Sequence, residues 1–166
     1  MNATIAKIAG TTLLALAGNC FAAGGLSVSR EATIDSSPDT VWKLVGGFNA
    51  LDVWHPAIKG SKLTGNGTRA GAMRLLDLGG GATVSEKLTA YNAAKHSYSY
   101  MLLKAPLPVK NYAATIVLSP TADGKTLMKW SSSFDAAGAP DDQVTEIIQG
   151  LYDAGLAKVV ANFAKQ

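Results

Sequence analysis

The sequence has almost no cysteine and very little histidine. Its 166 residues include one cysteine, Cys20, and two histidines, His55 and His96. A single cysteine cannot form an intrachain disulfide, and two distant histidines do not make a compact first shell of metal ligands. The sequence therefore predicts no metal site and no bound cofactor, and a stability that depends on packing alone.

Charged residues are also scarce, and neither sign dominates. They make up 16% of the chain, with 15 Lys and Arg against 12 Asp and Glu. No basic stripe or polybasic patch appears, so binding to nucleic acid or to an anionic membrane surface is not indicated. The length and the 48% hydrophobic content are typical of one globular domain with a substantial core.

The start of the chain differs from the rest. Lys7 precedes an uncharged apolar run that ends at Ala22 with the small residues that a signal peptidase reads. Gly and Thr residues interrupt the run, which is shorter than the ~20 residues needed to span a bilayer. We therefore predict a cleaved secretory signal over residues 1–23, which includes Cys20, and a single domain over residues 24–166. A periplasmic or secreted location follows, without a membrane span after cleavage.

Hydrophobic periodicity predicts an α+β order of elements. Alternation over residues 26–34 predicts a strand, and the Ser-Ser-Pro-Asp segment at residues 36–39 is typical of a helix start. A second helical turn stops before Pro56. Short strands separated by glycine and proline turns follow over residues 58–134, and an apolar stripe over residues 144–163 predicts a long helix. Such a helix must bury its stripe against the sheet.

Alternation along the strands directs an unusual set of side chains toward this helix. Aromatic, hydroxyl and carboxylate side chains join the aliphatic ones on the predicted inward face: Glu86, Tyr98, Tyr100, Tyr112, Trp130 and Ser132. A solid core would use Leu, Ile and Val, because buried polar atoms cost free energy unless they are paired. The small residues Ala114 and Gly155 would add room. The mixture is typical of a pocket with an apolar wall and a few placed polar groups.

Glu86 is the most informative member of this face. An unpaired carboxylate there would be costly or would take up a proton. It could bind a ligand hydroxyl, or it could pair with Arg74 on the neighbouring strand. If both side chains point inward, we expect them to form one unit.

His55 is the second candidate, since it lies between Trp54 and Pro56 at the end of a helical turn. There it could lean into the mouth of a cavity, where a pKa near neutrality would allow acid/base work or ligand capture. The alternative is a half-exposed ring that packs on Trp54. His96 lies at a turn and is a weaker candidate. No Gly-x-Ser-x-Gly elbow surrounds any serine, so we assign no catalytic residue.

Several segments carry a resemblance to known proteins. They are residues 38–42, 48–56, 81–88, 107–112 and 130–134. In these the chain resembles the SRPBCC superfamily, which holds the START proteins, the Bet v 1 allergens and the bacterial polyketide cyclase/dehydrase-like proteins. The resemblance covers nearly all of the predicted mature chain and implies that residues 24–166 form a single START-like ligand-binding domain. It implies a helix-grip fold, in which a seven-stranded antiparallel sheet wraps around a long C-terminal helix and encloses a cavity.

Within this superfamily the chain resembles the MxaD-type periplasmic proteins linked to methanol oxidation. The similarity lies in residues 54–57, 97–100, 107–112 and 150–156. It implies a role beside a periplasmic dehydrogenase.

A more distant similarity to plant abscisic-acid receptors assigns roles to two loops. It implies a gate loop at Gly79, Gly80 and Gly81 and a latch loop at Pro106, Leu107 and Pro108. It also places His55, Glu86 and Tyr112 in the pocket. However, His55 replaces a ligand-binding lysine and Trp130 replaces a carboxylate, so hormone binding is not implied.

Together these observations predict a periplasmic binding protein for a small hydrophobic or amphipathic ligand held between sheet and helix. The predicted ligand-binding residues are His55, Arg74, Glu86, Tyr98, Tyr100, Tyr112, Trp130, Ser132 and Tyr152. Two alternatives stay open. One is an accessory interaction protein for a periplasmic dehydrogenase, and the other is a cyclase or dehydratase that uses His55 or Glu86 with a tyrosine. An enzyme is the less favoured class.

Overall fold

The computed structural model describes residues 25–164. These residues form seven strands and three α-helices in the predicted order. The strands are β1 (Leu26–Ile34), β2 (Gly60–Thr64), β3 (Met73–Gly79), β4 (Ala82–Asn92), β5 (Ser97–Lys104), β6 (Val109–Pro120) and β7 (Thr126–Ala136). The helices are α1 (Pro38–Val45), α2 (Leu51–Trp54) and α3 (Asp141–Phe163), with a 3₁₀ turn at Ala93–Lys95. The predicted signal over residues 1–23 lies outside the described residues and stays a prediction.

All seven strands belong to one antiparallel sheet. Its order is β1-β7-β6-β5-β4-β3-β2, so each strand from β2 to β7 pairs with its neighbours in the chain and β1 closes onto β7. The long helix α3 lies across the concave side and buries its apolar stripe there: Val144, Ile148, Tyr152, Gly155, Leu156 and Val159. The predicted helix-grip architecture is confirmed.

The start of α1 and the end of α2 lie where the sequence indicates, whereas α2 begins at Leu51 rather than at Asn49. Ser37 occupies the N-cap position of α1 and Pro38 the first helical position, although the Ser37 hydroxyl bonds that of Thr40, at 3.0 Å, rather than a backbone amide. Helix α2 ends at His55, whose backbone is extended (φ −109°, ψ 120°). The extended backbone follows from Pro56, because a residue before proline is pushed out of the helical region.

Irregularities in the pairing curve the sheet around α3. The register shifts between Ser85 and Glu86 and again between Leu88 and Ala90, where β4 pairs with β5. Such bulges bend a strand and increase its twist. Despite the shift, Glu86 pairs with Leu102 and with Arg74, so all three side chains point to the concave side.

The turn between β3 and β4 is built from glycine. Gly79, Gly80 and Gly81 have φ values of +84°, +61° and +83°. Only glycine adopts three successive left-handed conformations without strain. The Asp77 carboxylate fixes the start of the turn by accepting a hydrogen bond from the Gly79 amide at 2.7 Å.

The inward face predicted from alternation is the face that the sheet buries. Its buried members are Val84, Glu86, Leu88, Tyr98, Tyr100, Tyr112, Ala114, Ile116, Leu118, Met128, Trp130, Ser132 and Phe134. Leu102 alone of this set is only half-buried. The period-two prediction is therefore confirmed along β4 to β7.

Candidate functional site: a cavity beneath the long helix

A cavity of about 340 Å³ lies between the sheet and α3. Most of its wall is aliphatic: Leu51, Ala57, Ile58, Leu76, Leu78, Val84, Leu102, Leu107, Ile148 and Leu151. Six of the predicted ligand-binding residues join them, namely His55, Glu86, Tyr100, Tyr112, Trp130 and Tyr152, together with Lys59. The volume is at the lower end of the range of roughly 300–1,000 Å³ that ligand pockets occupy.

Aromatic side chains form one side of the cavity and bond to each other. Trp130 stacks on Tyr152 with ring centroids 4.2 Å apart, and its Nε1 donates to the Tyr100 hydroxyl at 3.0 Å. The hydroxyls of Tyr112 and Tyr152 are hydrogen-bonded to each other. Burial raises the pKa of Tyr100, Tyr112 and Tyr152 above the usual range, so all three stay protonated. This side of the cavity is thus uncharged.

Arg74 and Glu86 form the single unit expected from the sequence. They face each other across β3 and β4, and Arg74 Nε donates to Glu86 Oε2 at 2.5 Å. Arg74 is 1% exposed, donates from Nη1 to the Phe48 carbonyl, and has the Phe48 ring 4.4 Å from its guanidinium carbon. Burial alone lowers the pKa of Arg74, but the Glu86 charge and the nearby tyrosines outweigh it, so the guanidinium stays charged.

The two alternatives for Glu86 turn out to be compatible. Its Oε2 belongs to the ion pair, whereas Oε1 is bonded to no residue in the described part of the chain. Glu86 also lines the cavity, and Arg74 does not. The carboxylate therefore presents a free acceptor to the cavity while the guanidinium lies behind the wall.

His55 is buried, so the half-exposed alternative is wrong. Only 5% of the residue is exposed, and its ring packs edge-on against those of Trp54 and Trp130, with centroids 6.1 Å and 6.0 Å away. Nε2 lies 2.9 Å from the Leu151 carbonyl oxygen, and Nδ1 accepts from the Ala57 amide at 3.2 Å. These partners require a proton on Nε2 and none on Nδ1. The uncharged ring thus connects the end of α2 to the middle of α3 through its hydrogen bonds.

The pKa of His55 agrees with that tautomer. Burial lowers the pKa, the hydrogen bond to Leu151 opposes this, and the positive charge of Arg74 lowers it further. Because both nitrogens already have backbone partners, the ring has no free atom with which to exchange a proton with a ligand.

Three predicted ligand-binding residues lie outside the cavity wall. Arg74 and Tyr98 are fully buried behind it, where burial raises the pKa of Tyr98. Ser132 is buried in β7 opposite Ala114 of β6, and neither of these two lines the cavity. All three residues are buried, but the inner face of the sheet is larger than the cavity, so some of its residues do not line the cavity wall.

The wall of the cavity contains one residue of the predicted latch loop and the residue that precedes the predicted gate loop. Leu78 lines the cavity at the start of the glycine turn, although Gly79, Gly80 and Gly81 themselves do not. In the other loop Leu107 lines it, whereas Pro106 and Pro108 do not. Sequence reasoning missed Ile58 and Lys59, which follow α2 in a connection without periodicity. No local pattern marks such residues.

The remaining candidates contribute little to this site. His96 bonds to Asp39 at 2.8 Å and does not line the cavity. Within residues 25–164, no three Asp, Glu, His or Cys side chains are grouped closely enough to hold a metal ion. None of the helices described over this range has the length and apolar character that crossing a membrane requires.

A long helix held by a curved antiparallel sheet, with a cavity between them, defines the helix-grip class. Residues 25–164 match the family described as polyketide cyclase / dehydrase and lipid transport, and the chain belongs to this family. The predicted SRPBCC membership is thereby confirmed. A comparison with curated proteins gives no match.

Solved structures agree with this assignment. XoxI from Bacillus cereus is 34% identical with a TM-score of 0.77, over 82% of this chain and 94% of that one. An uncharacterised protein from Bacillus thuringiensis is 33% identical with a TM-score of 0.77, over 83% and 98% of the two chains. A protein from Nitrosospira multiformis is 27% identical with a TM-score of 0.73, over 84% and 97%. The similarity to XoxI agrees with the MxaD-type resemblance.

Proposed function

We propose that the protein binds a small, largely apolar molecule in the cavity between the sheet and α3, and carries or sequesters it outside the cytoplasm. The observation that supports binding is the cavity of about 340 Å³, whose mostly apolar wall contains one free carboxylate oxygen. Protein cores are close-packed, with few voids larger than a water molecule. A void of this size is therefore typical of a ligand site. The extracytoplasmic location depends on the predicted signal.

Binding has more support than catalysis. His55, Glu86 and Tyr112 share one cavity, so the geometry does not separate the groups that a cyclase or dehydratase would need. Each of them is nevertheless already engaged: His55 with two backbone groups, Glu86 with Arg74 and Tyr112 with Tyr152. Glu86 Oε1 is the one atom of these three side chains that is bonded to no other described residue, so the three do not include two free groups that could act together as general acid and base.

Native mass spectrometry of the protein purified from its host tests this proposal. We expect a copurifying small molecule, or uptake of one from a lipid and hydrophobic-metabolite extract. Ile148→Trp should abolish uptake, because Ile148 lies in the cavity wall on α3. Val160→Trp on the exposed side of the same helix is the matched control and should keep it. An empty wild-type protein that takes up nothing would contradict the proposal.

The outer surface of the sheet favours a second function, as an accessory protein that docks on a partner. Leu75 is 46% exposed, and Met73 and Leu103 are exposed nearby. The cross-strand register places a lysine beside two of them: Lys62 pairs with Leu75, and Lys87 pairs with Met73. An apolar centre with a lysine rim complements a partner surface with an acidic rim. We propose a periplasmic dehydrogenase of the methanol-oxidation type as that partner.

Binding to the purified dehydrogenase tests the second function. Lys87→Glu should weaken binding and reduce its dependence on salt, since it reverses one charge beside the apolar centre. Lys158→Glu on the exposed side of α3 makes the same charge change elsewhere and should have no effect. Equal weakening by both variants, or no binding by the wild type, would contradict this function.

A further inference from the structure

The cavity offers very few polar atoms that are not already bonded within the protein. Both nitrogens of His55 have backbone partners, and Trp130 Nε1 donates to Tyr100. Glu86 Oε1 remains as a free acceptor on a residue that is only 5% exposed. The Tyr100 hydroxyl accepts from Trp130 and so keeps its own proton for donation. A ligand thus meets one strong acceptor and a tyrosine hydroxyl that can donate.

The two buried ionised groups at this site already balance each other, and the third ionised group, Lys59, is exposed. Arg74 and Glu86 carry opposite charges, and their ion pair is buried. A ligand with a charge of either sign would leave one buried charge uncompensated, which is costly in a medium of low dielectric constant. The charge balance therefore favours an uncharged ligand.

The arrangement of the pair acts most strongly against an anion. The Glu86 carboxylate lines the cavity, whereas the guanidinium of Arg74 lies behind it and contacts the rings of Phe48 and Tyr100. Burial is the main reason that the pKa of Tyr100 and Tyr112 is raised; neighbouring tyrosines and the charge of Glu86 add to this, and the charge of Arg74 opposes it at Tyr100. Glu86 is the ionised member of the pair that a ligand in the cavity meets.

We propose that the ligand is an uncharged molecule with a hydroxyl group, which donates to Glu86 Oε1 and accepts from a tyrosine hydroxyl of the cavity wall. This inference depends on the proposed binding function and adds the chemical class of the ligand. A hydroxyl satisfies both protein groups at once, because it is both donor and acceptor. A carboxylate has no proton for Glu86, and an ammonium group adds a third charge to a balanced pair.

Three probes with the same alkyl chain separate these classes. Octanol, octanoate and octylammonium are titrated into the protein by isothermal calorimetry at neutral pH. Octanol should bind at least about tenfold more tightly than either ion. Equal or tighter binding of octanoate or octylammonium overturns the inference but leaves the cavity as a binding site. If none of the three binds, the proposed function fails and the inference fails with it.

Two variants test which residue sets the preference. Glu86→Gln keeps the shape but leaves the charge of Arg74 unpaired, so the preference should shift from octanol toward octanoate. Circular dichroism checks that this variant folds. If it does not fold, the relative affinities of the wild-type protein for the three probes test the inference. Lys59→Met removes the cation of the cavity wall and tests whether Lys59 sets the preference instead. Lys158→Met, on the exposed side of α3, is the control that should leave octanol binding unchanged. If octanoate binds tightly and Lys59→Met abolishes this binding, the polar end of the ligand contacts Lys59 rather than Glu86, and the inference is wrong.

Discussion

The imidazole of His55 lies directly against the backbone of α3 at Gly155. A Cβ at position 155 would lie 2.7 Å from His55 Cδ2 and 3.0 Å from Trp130 Cζ3. The absence of a side chain lets His55 reach the Leu151 carbonyl, one turn earlier in the helix. The expectation that Gly155 adds room to the cavity is therefore wrong, because His55 and Trp130 occupy that space.

Gly155→Ala should destabilise the protein. Overpacking of this kind costs about 1–3 kcal/mol, and the higher helix propensity of alanine offsets up to about 1 kcal/mol of that. Gly150→Ala on the same helix has open space around its Cβ and should stabilise the protein by about 0.5–1 kcal/mol. Thermal unfolding of both variants measures the difference. A Gly155→Ala variant as stable as Gly150→Ala would mean that His55 is not held against the helix.

Removing one partner of the buried Arg74–Glu86 ion pair should lower the free energy of unfolding much more than removing one partner of an ion pair at the surface. Glu86→Leu leaves the Arg74 charge buried without compensation, at a cost of about 3–5 kcal/mol. The combined Arg74→Met and Glu86→Leu variant should recover most of that loss. Arg30→Met breaks the partly exposed pair with Asp153 and should cost at most about 1 kcal/mol. Urea denaturation gives all three values, and a double variant no more stable than Glu86→Leu would disagree with this account.

The lowered pKa of His55 predicts that stability falls as the solution becomes acidic. In the unfolded chain the histidine takes up a proton near its ordinary pKa of 6.5, whereas in the folded state burial holds the pKa below that value. Between the two values the unfolded state binds more protons, so stability is full above pH 6.5 and is lost as the pH falls toward the folded pKa. Melting temperatures between about pH 7 and pH 5 measure this. His55→Gln should remove this part of the dependence, and His96→Gln should retain it.

The hydroxyl pair of Tyr112 and Tyr152 should behave as a coupled unit. Tyr112→Phe leaves the Tyr152 hydroxyl without this partner in a buried site, which costs about 1–3 kcal/mol. Replacing both tyrosines by phenylalanine should cost less than the sum of the single changes. Tyr91→Phe changes a half-buried ring outside the cavity and should lower the free energy of unfolding by at most about 0.5 kcal/mol. Additive losses in a double-mutant cycle would show that the two hydroxyls do not interact.

Alternation alone was enough to predict which strand residues face α3. Side chains of a strand point to opposite faces in turn, so Glu86, Tyr100, Tyr112 and Trp130 follow from the positions of their apolar neighbours. The start of α1 and the end of α2 were equally predictable, since proline restricts the backbone locally. These features depend on a few adjacent residues and need no knowledge of the rest of the chain.

The tertiary structure decided which inward residues border the cavity and which partners they take. His55 and Leu151 are 96 positions apart, and Tyr112 and Tyr152 are 40 apart. Whether such residues meet depends on how strongly the bulges of β4 curve the sheet and where α3 crosses it. No local pattern encodes either quantity, because both result from packing the whole sheet against one helix. The sequence by itself thus determined the order of the helices and strands and the composition of the inner face. Only the tertiary structure, which packs the whole sheet against α3, decided that Glu86 keeps one oxygen free.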